Sequence, residues 1–211
     1  MTIRALIFDF GGVLLRTEDQ TPRIALAEKF AISKSELEYL VFSSPSSYQA
    51  MVGEISALQH WQTVAKTLNM NSQKIIDLRN QFFSGDRLDL NLVTYIQHIR
   101  KDYKIGLVSN AWDDLRSLLK EEFGILGVFD EVIISAEVGL IKPDPRIYQL
   151  AAEKLSIPTN QAIFIDDVAE NVEAARKSGM FAIQFRSPSQ IIPEINQILG
   201  EQRNGSKPIN H

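Results

Sequence analysis

Short apolar runs alternate with longer amphipathic stretches along most of this chain, and the alternation predicts its fold. Apolar runs of strand length lie at residues 3–8, 105–108, 132–134, 162–165 and 182–185. Between the later runs are amphipathic stretches of helical length at residues 113–122, 146–155 and 171–178. Strands that alternate with helices are typical of βαβ units. We therefore predict an α/β fold with a Rossmann-like parallel sheet at its core.

The segment after the first apolar run follows a different pattern. Residues 15–88 contain no convincing strand, whereas helix-start signals recur at Thr21-Pro22, at the capping-box sequence from Ser33 to Glu36, and at Ser56. We predict that residues 15–88, here called the helical insertion, form a small all-helical unit. The core domain would then comprise residues 1–14 and 89–200, followed by a polar tail at 201–211.

Composition narrows the classes of function. A chain of 211 residues with 45% hydrophobic content can bury a substantial core, and a net charge of −4 argues against nucleic acid or an anionic membrane as partner. The absence of cysteine excludes a disulfide framework, a thiolate nucleophile and a cysteine metal cluster. The first apolar run is too short for a signal peptide, and no stretch is long enough to cross a bilayer. We expect a cytoplasmic protein.

Polar residues directly follow three of the strand-like runs. Asp9 follows the first run, Ser109-Asn110 the second, and Asp166-Asp167 the fourth. Because ligands bind beyond the carboxyl ends of the strands in an open parallel sheet, we expect these side chains to meet at one edge despite their separation in sequence.

A phosphoryl-transfer site would use this set of residues. The Asp9 carboxylate can act as a nucleophile and divide hydrolysis into two easier steps. Attack by one anion on another needs nearby cations, which Lys142 and a magnesium ion held by Asp9 and Asp166, with Asp167 close by, would supply. Ser109 and backbone amides would hold phosphate oxygens.

Gly11-Gly12 would permit a tight turn after the nucleophile and bring a backbone carbonyl to the metal. Each member of the set also has an ordinary explanation as a turn residue, a helix cap, a solvated charge or loop polarity. That explanation requires four independent coincidences in the right order, so we favour a shared site. His60 and His98 lack metal-ligand spacing and are expected to be structural or surface residues.

Other nucleotide and hydrolase signatures are missing from the sequence. It contains no Walker A sequence, no G-x-G-x-x-G and no G-x-S-x-G.

The ordered motifs resemble those of the haloacid dehalogenase-like (HAD) hydrolase superfamily over nearly the whole chain. The residues that carry the resemblance are Phe8-Asp9-Phe10-Gly11-Gly12-Val13, Val108-Ser109-Asn110, Ile141-Lys142-Pro143-Asp144-Pro145 and Phe164-Ile165-Asp166-Asp167. The helical insertion is similar to a C1-type cap. Together with Leu107–Asn110, Lys142–Tyr148 and Phe164–Asp167, the segment Gly53-Glu54-Ile55-Ser56 and Asn171 make the chain most similar to α-D-glucose-1-phosphatase-like enzymes and the phosphatase domain of soluble epoxide hydrolases.

The resemblance implies a magnesium-dependent phosphomonoester hydrolase that forms an aspartyl-phosphate. Asp9 would be the nucleophile, Lys142 would stabilise it, and Ser109-Asn110 would contact phosphate. The metal ligands would be Asp9, the Gly11 carbonyl, Asp166 and Asp167. The implied substrate is a small phosphorylated metabolite, with sugar phosphates as one class, and the protein would be a monomer or a homodimer.

One position departs from the family pattern. Most family phosphatases carry an aspartate two residues after the nucleophile as general acid and base, whereas this chain has Gly11. General acid–base help contributes about 100- to 10,000-fold, so its loss should slow turnover without abolishing it. The glycine favours good leaving groups such as anomeric sugar phosphates, or a donor from elsewhere, for which Glu18, Asp19 and Glu54 are candidates.

Two alternatives stay open at this point. A halide-releasing dehalogenase also lacks the second aspartate, but it needs no metal and would not be expected to keep the Asp166-Asp167 pair. A catalytically idle HAD fold that serves as a binding or regulatory protein is supported by Gly11 alone.

Overall fold

The protein is described by a computed structural model that covers residues 2–205. Within that range the strands are β1 (Ala5–Phe8), β2 (Leu15–Thr17), β3 (Asp86–Leu88), β4 (Lys104–Ser109), β5 (Glu131–Ile134), β6 (Ala162–Asp166) and β7 (Phe181–Gln184). The α-helices are α1 (Thr21–Lys29), α2 (Lys34–Phe42), α3 (Pro45–Met51), α4 (Ala57–Thr67), α5 (Ile75–Phe83), α6 (Leu90–Ile99), α7 (Leu115–Ser117), α8 (Ser135–Val138), α9 (Pro145–Lys154), α10 (Ala169–Lys177) and α11 (Pro188–Gly205). A π-helical segment, Leu118–Glu122, directly follows α7.

Five strands form one parallel sheet in the order β5-β4-β1-β6-β7. In the central strand β1, Phe8 is paired with Leu107 on one side and with Ile165 on the other. The predicted α/β fold with a parallel core sheet is confirmed, and each of the five predicted apolar runs contains one of these strands or most of it.

The sheet is apolar because helices cover both of its faces. All four residues of β1 are buried, and their side chains alternate between two separate hydrophobic clusters. Leu6 and Phe8 pack on the side of α6 and α11, whereas Ala5 and Ile7 pack on the side of α9. Burial on both faces explains why the strands appear as continuous apolar runs rather than as alternating patterns.

The helical insertion begins and ends in a small ribbon that the sequence pattern did not reveal. β2 and β3 pair antiparallel, with Leu15 opposite Leu88 and Thr17 opposite Asp86. The prediction that residues 15–88 contain no strand is therefore wrong at both ends of the segment. Strands of three partly exposed residues carry too little apolar alternation to be recognised, because their pairing depends on two distant chain segments meeting.

The helix starts predicted inside the insertion are confirmed. Ser33 and Glu36 form a reciprocal capping box at the start of α2, and Ser56 and Gln59 form another at the start of α4. Helix α3 was not predicted; it begins at Pro45 after Ser44. Helices α1 to α5 enclose a hydrophobic cluster of their own, whose largest buried side chains include Trp61 and Phe82.

The last helix passes the predicted start of the tail. Helix α11 extends to Gly205, so the first part of the predicted polar tail is helical, and residues 206–211 lie outside the described residues. Among residues 2–205, no helix has both the length and the apolar character needed to span a membrane.

Candidate active site

Asp9 is fixed at the carboxyl end of the central strand. Its backbone N–H continues the ladder by donating to the Ile165 carbonyl at 2.8 Å. Its Oδ1 accepts a hydrogen bond from the Phe10 N–H at 2.6 Å and lies 2.8 Å from Lys142 Nζ. The residue is only 7% exposed, so the carboxylate is buried and held at one oxygen.

Lys142 bridges two carboxylates from neighbouring strands. Its Nζ lies 2.8 Å from Asp9 Oδ1 and 2.7 Å from Asp166 Oδ2, and the residue is 3% exposed. Burial alone would lower the pKa of Lys142, but the negative charges of Asp9 and Asp166 outweigh it and raise that pKa above its ordinary value. The two carboxylates therefore favour the ammonium form of Lys142.

Asp166 is the most thoroughly bonded carboxylate of the group. Its Oδ1 accepts from the Val168 N–H at 2.8 Å, and Asn171 Nδ2 donates to its two oxygens at 3.0 and 3.1 Å. Tyr148 in turn donates its hydroxyl to the Asn171 carbonyl at 3.0 Å. Sequence reasoning noted Asn171 in the family motif but gave it no role; its position in the first turns of the helix after Asp166 was the available signal.

Gly12 lies directly against Asp167. Its φ of +80° is in the left-handed region, and a Cβ at this position would collide with the Asp167 carboxylate. The tight turn predicted after Asp9 is confirmed, and only glycine fits there. The turn brings the backbone after Asp9 next to the second late aspartate.

The three carboxylates form a cluster that fits a divalent cation. One oxygen from each of Asp9, Asp166 and Asp167 lies within 4.8 Å of the others. Burial raises the pKa of Asp9 to about 7, against the opposing pull of Lys142, and burial together with the charge of Asp166 raises the pKa of Asp167. Three acidic groups beside one ammonium leave an excess of negative charge, and oxygen donors of this kind suit magnesium.

Asn110 holds the Lys142 loop in place. Its Nδ2 donates to the Lys142 carbonyl at 2.9 Å, and the Lys142 N–H donates to its Oδ1 at 2.7 Å. The side chain expected to contact phosphate is therefore already occupied within the protein. Ser109 is buried at the end of β4, on the same edge of the sheet as Asp9.

Within residues 2–205, none of the three predicted replacements for the missing acid is bonded to the nucleophile. Asp19 accepts hydrogen bonds from Thr21, which lower its pKa, and Glu18 is paired with Arg16 at 3.5 Å. Glu54 is exposed in the loop after α3. Within residues 2–205, no hydrogen bond or ion pair joins any of these three candidates to Asp9. Gly11 itself is exposed, and a Cβ added there would meet nothing within 4 Å.

Comparison with known families decides the assignment of the chain. The model of the haloacid dehalogenase-like hydrolases matches residues 3–179. The chain belongs to this family. The HAD resemblance inferred from the motifs is confirmed, and the chain is accordingly a member of a hydrolase family.

Three similar proteins place this HAD chain among its relatives. Bifunctional epoxide hydrolase 2 of Rattus norvegicus is 25% identical over 96% of the chain, but the match covers only 40% of that longer protein. Pyrimidine 5'-nucleotidase YjjG of Escherichia coli is 26% identical over 64% of the chain and 62% of its own length. A HAD family enzyme of Bacteroides thetaiotaomicron, solved with magnesium and inorganic phosphate, is 21% identical and has a TM-score of 0.73 over 88% of this chain and 96% of its own. This last similarity shows a shared fold.

Folding brings the predicted residues of this HAD chain to one edge of the sheet. Asp9, Asp166 and Asp167 cluster, Lys142 bridges two of them, and Asn110 holds the lysine loop. Their roles in binding and catalysis stay predictions from the sequence.

Proposed function

We propose that this protein is a magnesium-dependent phosphomonoester hydrolase that works through an aspartyl-phosphate. The observation that carries the proposal is the buried Lys142 ammonium between Asp9 and Asp166, with Asp167 completing the acidic cluster. A cation beside a buried carboxylate is what attack on an anionic phosphoryl group needs.

Asp9 Oδ2 is the oxygen we assign as the nucleophile. The Phe10 N–H and Lys142 both contact Oδ1, whereas no group within residues 2–205 is shown donating to Oδ2. Oδ2 forms a bond to phosphorus as the bond from phosphorus to the leaving oxygen breaks, and water then cleaves the acyl-phosphate to release inorganic phosphate. Lys142 keeps Asp9 oriented and offsets charge on the phosphoryl oxygens.

The metal would be held by Asp9, Asp167 and the Gly11 carbonyl, with Asp166 beside them. Asp166 is already engaged within the protein, because its two oxygens accept hydrogen bonds from Lys142, Val168 and Asn171. When bound, magnesium would supply positive charge next to the phosphoryl group. Burial raises the pKa of both Asp9 and Asp167, and the charge of Asp166 adds to each shift; a bound cation would favour the ionised form of both carboxylates.

The substrate we propose is a small phosphorylated metabolite. The names of the nucleotidase relative and of the magnesium- and phosphate-bound structure support phosphomonoester chemistry. Exposed Gly11 leaves protonation of the leaving oxygen to solvent or substrate, so esters with good leaving groups, such as anomeric sugar phosphates, suit the site. We further propose that the helical insertion is a cap on a core of residues 1–14 and 89–200.

The test is hydrolysis of p-nitrophenyl phosphate by the full chain with magnesium. We expect wild type to be active, Asp9→Asn to lose activity while keeping its unfolding midpoint, and EDTA to suppress the rate. Asp77→Asn is the matched control, because Asp77 is an exposed aspartate of helix α5. Equal rates for wild type and Asp9→Asn, activity that survives EDTA, or halide release from a haloacid would each contradict the proposal.

A further inference from the structure

The loop that follows Ser109-Asn110 places one core side chain, Trp112, in the hydrophobic cluster of the helical insertion. Trp112 is 8% exposed, and it packs within the hydrophobic cluster of the insertion although it follows strand β4 of the core. Its ring centroid is 4.8 Å from that of His60, 5.9 Å from that of Trp61 and 6.4 Å from that of Phe42, against which it stacks. The core thus contributes a central side chain to the insertion's own core.

Two aspartates that follow Trp112 attach the same loop to two helices of the insertion. Asp113 Oδ1 accepts a hydrogen bond at 2.8 Å from the N–H of Ala57, the first residue of α4. Asp114 Oδ2 forms an ion pair with Arg79 of α5 at 2.6 Å. A carboxylate at a helix N-terminus satisfies a free backbone donor and interacts favourably with the helix dipole.

The near end of the loop is tied to the site. Asn110 exchanges two hydrogen bonds with the backbone of Lys142, at 2.7 and 2.9 Å. The Ala111 N–H donates to Ser135 Oγ at 3.0 Å, and that hydroxyl donates to the Ala111 carbonyl at 3.1 Å. Trp112 is thus two residues from Asn110, whose side chain is hydrogen-bonded to the backbone of the lysine that carries the ammonium group.

A second contact joins the insertion to the core beside this loop. Gly53, after helix α3, has a φ of +79°, and a Cβ there would collide with the Ala136 carbonyl. Ala136 follows Ser135 in helix α8, which holds Ala111. The insertion therefore contacts two adjacent segments of the core, the loop that carries Trp112 and helix α8.

We propose that Trp112 and Asp113 are positioning residues that couple the placement of the helical insertion to phosphate binding at the sheet edge beside Ser109. The inference rests on the proposed function, and it states how phosphate binding at the candidate active site depends on the position of the helical insertion. Coupling of this kind is reciprocal: phosphate at the site strengthens docking of the insertion, and weaker docking weakens phosphate binding.

Tryptophan fluorescence gives a direct measure of this coupling. The chain has two tryptophans, Trp61 and Trp112, and both lie in the hydrophobic cluster of the helical insertion. Titration of the full, magnesium-loaded chain with inorganic phosphate should change the emission of wild type. In Asp113→Ala the phosphate concentration at half-change should rise about fivefold or more. Asp77→Ala removes an exposed aspartate of the insertion that does not touch the core loop, and should match wild type.

Steady-state kinetics separate positioning from a loss of folded protein. In Asp113→Ala the KM for p-nitrophenyl phosphate should rise more than kcat falls, and the unfolding midpoint should fall only slightly, because Asp113 is exposed and accepts a single hydrogen bond from α4. Trp112→Phe, which keeps an aromatic ring, should retain more phosphate affinity than Trp112→Leu. A fall in kcat at constant KM, accompanied by a lower midpoint, would indicate a structural role alone and would overturn the inference.

The outcomes also separate this inference from the proposed function. If Asp9→Asn is inactive while Asp113→Ala and Asp77→Ala bind phosphate equally well, the coupling is overturned and the hydrolase stands. If phosphate leaves the wild-type emission unchanged although hydrolysis proceeds, the coupling is likewise overturned. A wild type that neither binds phosphate nor hydrolyses the ester overturns both.

Discussion

The sheet edge and the aromatic centre of the helical insertion bury polar groups in different ways. At the sheet edge, Lys142 lies between Asp9 and Asp166 with both ion-pair distances below 3 Å. In the insertion, the buried His60 is held by neutral partners, with Nδ1 2.9 Å from Ser46 Oγ and Nε2 3.0 Å from the Val41 carbonyl. Burial lowers the pKa of His60, against the opposing pull of the Val41 carbonyl, so the ring stays neutral near pH 7.

This difference distinguishes a catalytic role for the polar groups at the sheet edge from a structural role for those in the insertion. Buried ion pairs cost desolvation energy and add little net stability, so a cluster of charges is best explained by what it does to a substrate. The neutral ring of His60 and the aromatic side chains around it fill space and satisfy hydrogen bonds. We therefore expect charge changes to alter catalysis at the sheet edge and to alter stability in the insertion.

The largest expected effect is at the sheet edge, in Lys142→Met. Loss of the ammonium should lower kcat/KM for p-nitrophenyl phosphate by about 100- to 1000-fold, as for other preorganised charge donors. The free energy of unfolding should fall by about 3–5 kcal/mol, because Asp9 and Asp166 stay buried without their cation. Lys101→Met, at an exposed lysine of the core, is the control. If Lys142→Met kept more than a tenth of wild-type activity, the charges at the sheet edge would not have the catalytic role expected of them.

The next effect is a gain of activity in Gly11→Asp. Gly11 is exposed, its φ is outside the left-handed region, and an added Cβ meets nothing within 4 Å, so the backbone accepts a side chain. A carboxyl group here should act as general acid and raise kcat by about 10- to 100-fold for an alkyl phosphate, below the full range of such catalysis. The gain should be smaller for p-nitrophenyl phosphate, whose leaving group needs less protonation.

Gly11→Asn is the matched control for this substitution. It adds a side chain of similar size that cannot transfer a proton, so it should not raise the rate. An equal gain in both variants would show that the effect is one of packing rather than acid catalysis.

The smallest effect concerns His60 and the stability of the insertion. Because the pKa of His60 is lowered in the folded state, the unfolded chain binds a proton first as pH falls below about 6.5. The stability contributed by the neutral ring is thus complete above pH 6.5 and is lost as pH falls toward the lowered folded pKa. The slope of this loss is at most about 1.4 kcal/mol per pH unit.

Urea unfolding between pH 7 and pH 5 measures this loss. His60→Gln should show a shallower decline in the free energy of unfolding than wild type, while His98→Gln, at an exposed helix position, should follow wild type. Identical pH dependence in wild type and His60→Gln would mean that the histidine does not behave as a buried neutral group.

Prediction from sequence was most successful where one local signal was sufficient. The capping box at Ser33 and the helix start at Ser56 are local events and were predicted correctly. The β2–β3 ribbon was missed because its pairing joins residues about seventy positions apart. The double hydrogen bond between Asn110 and Lys142 was missed for the same reason, since neither residue signals its partner.

The sequence by itself determined the parallel sheet, the ends of its strands and the residue types placed there. Hydrophobic runs specify which segments are buried, and parallel packing brings their carboxyl ends to one edge, so Asp9, Ser109 and Asp166 could be expected at one edge in advance. Lys142 follows no strand directly, and its motif brought it into the predicted site. Only the tertiary structure decided that Asp166 is saturated by protein donors and that Trp112 belongs to the core of the helical insertion. These are contacts between distant segments, and their distances and partners depend on the packing of whole elements rather than on any local pattern.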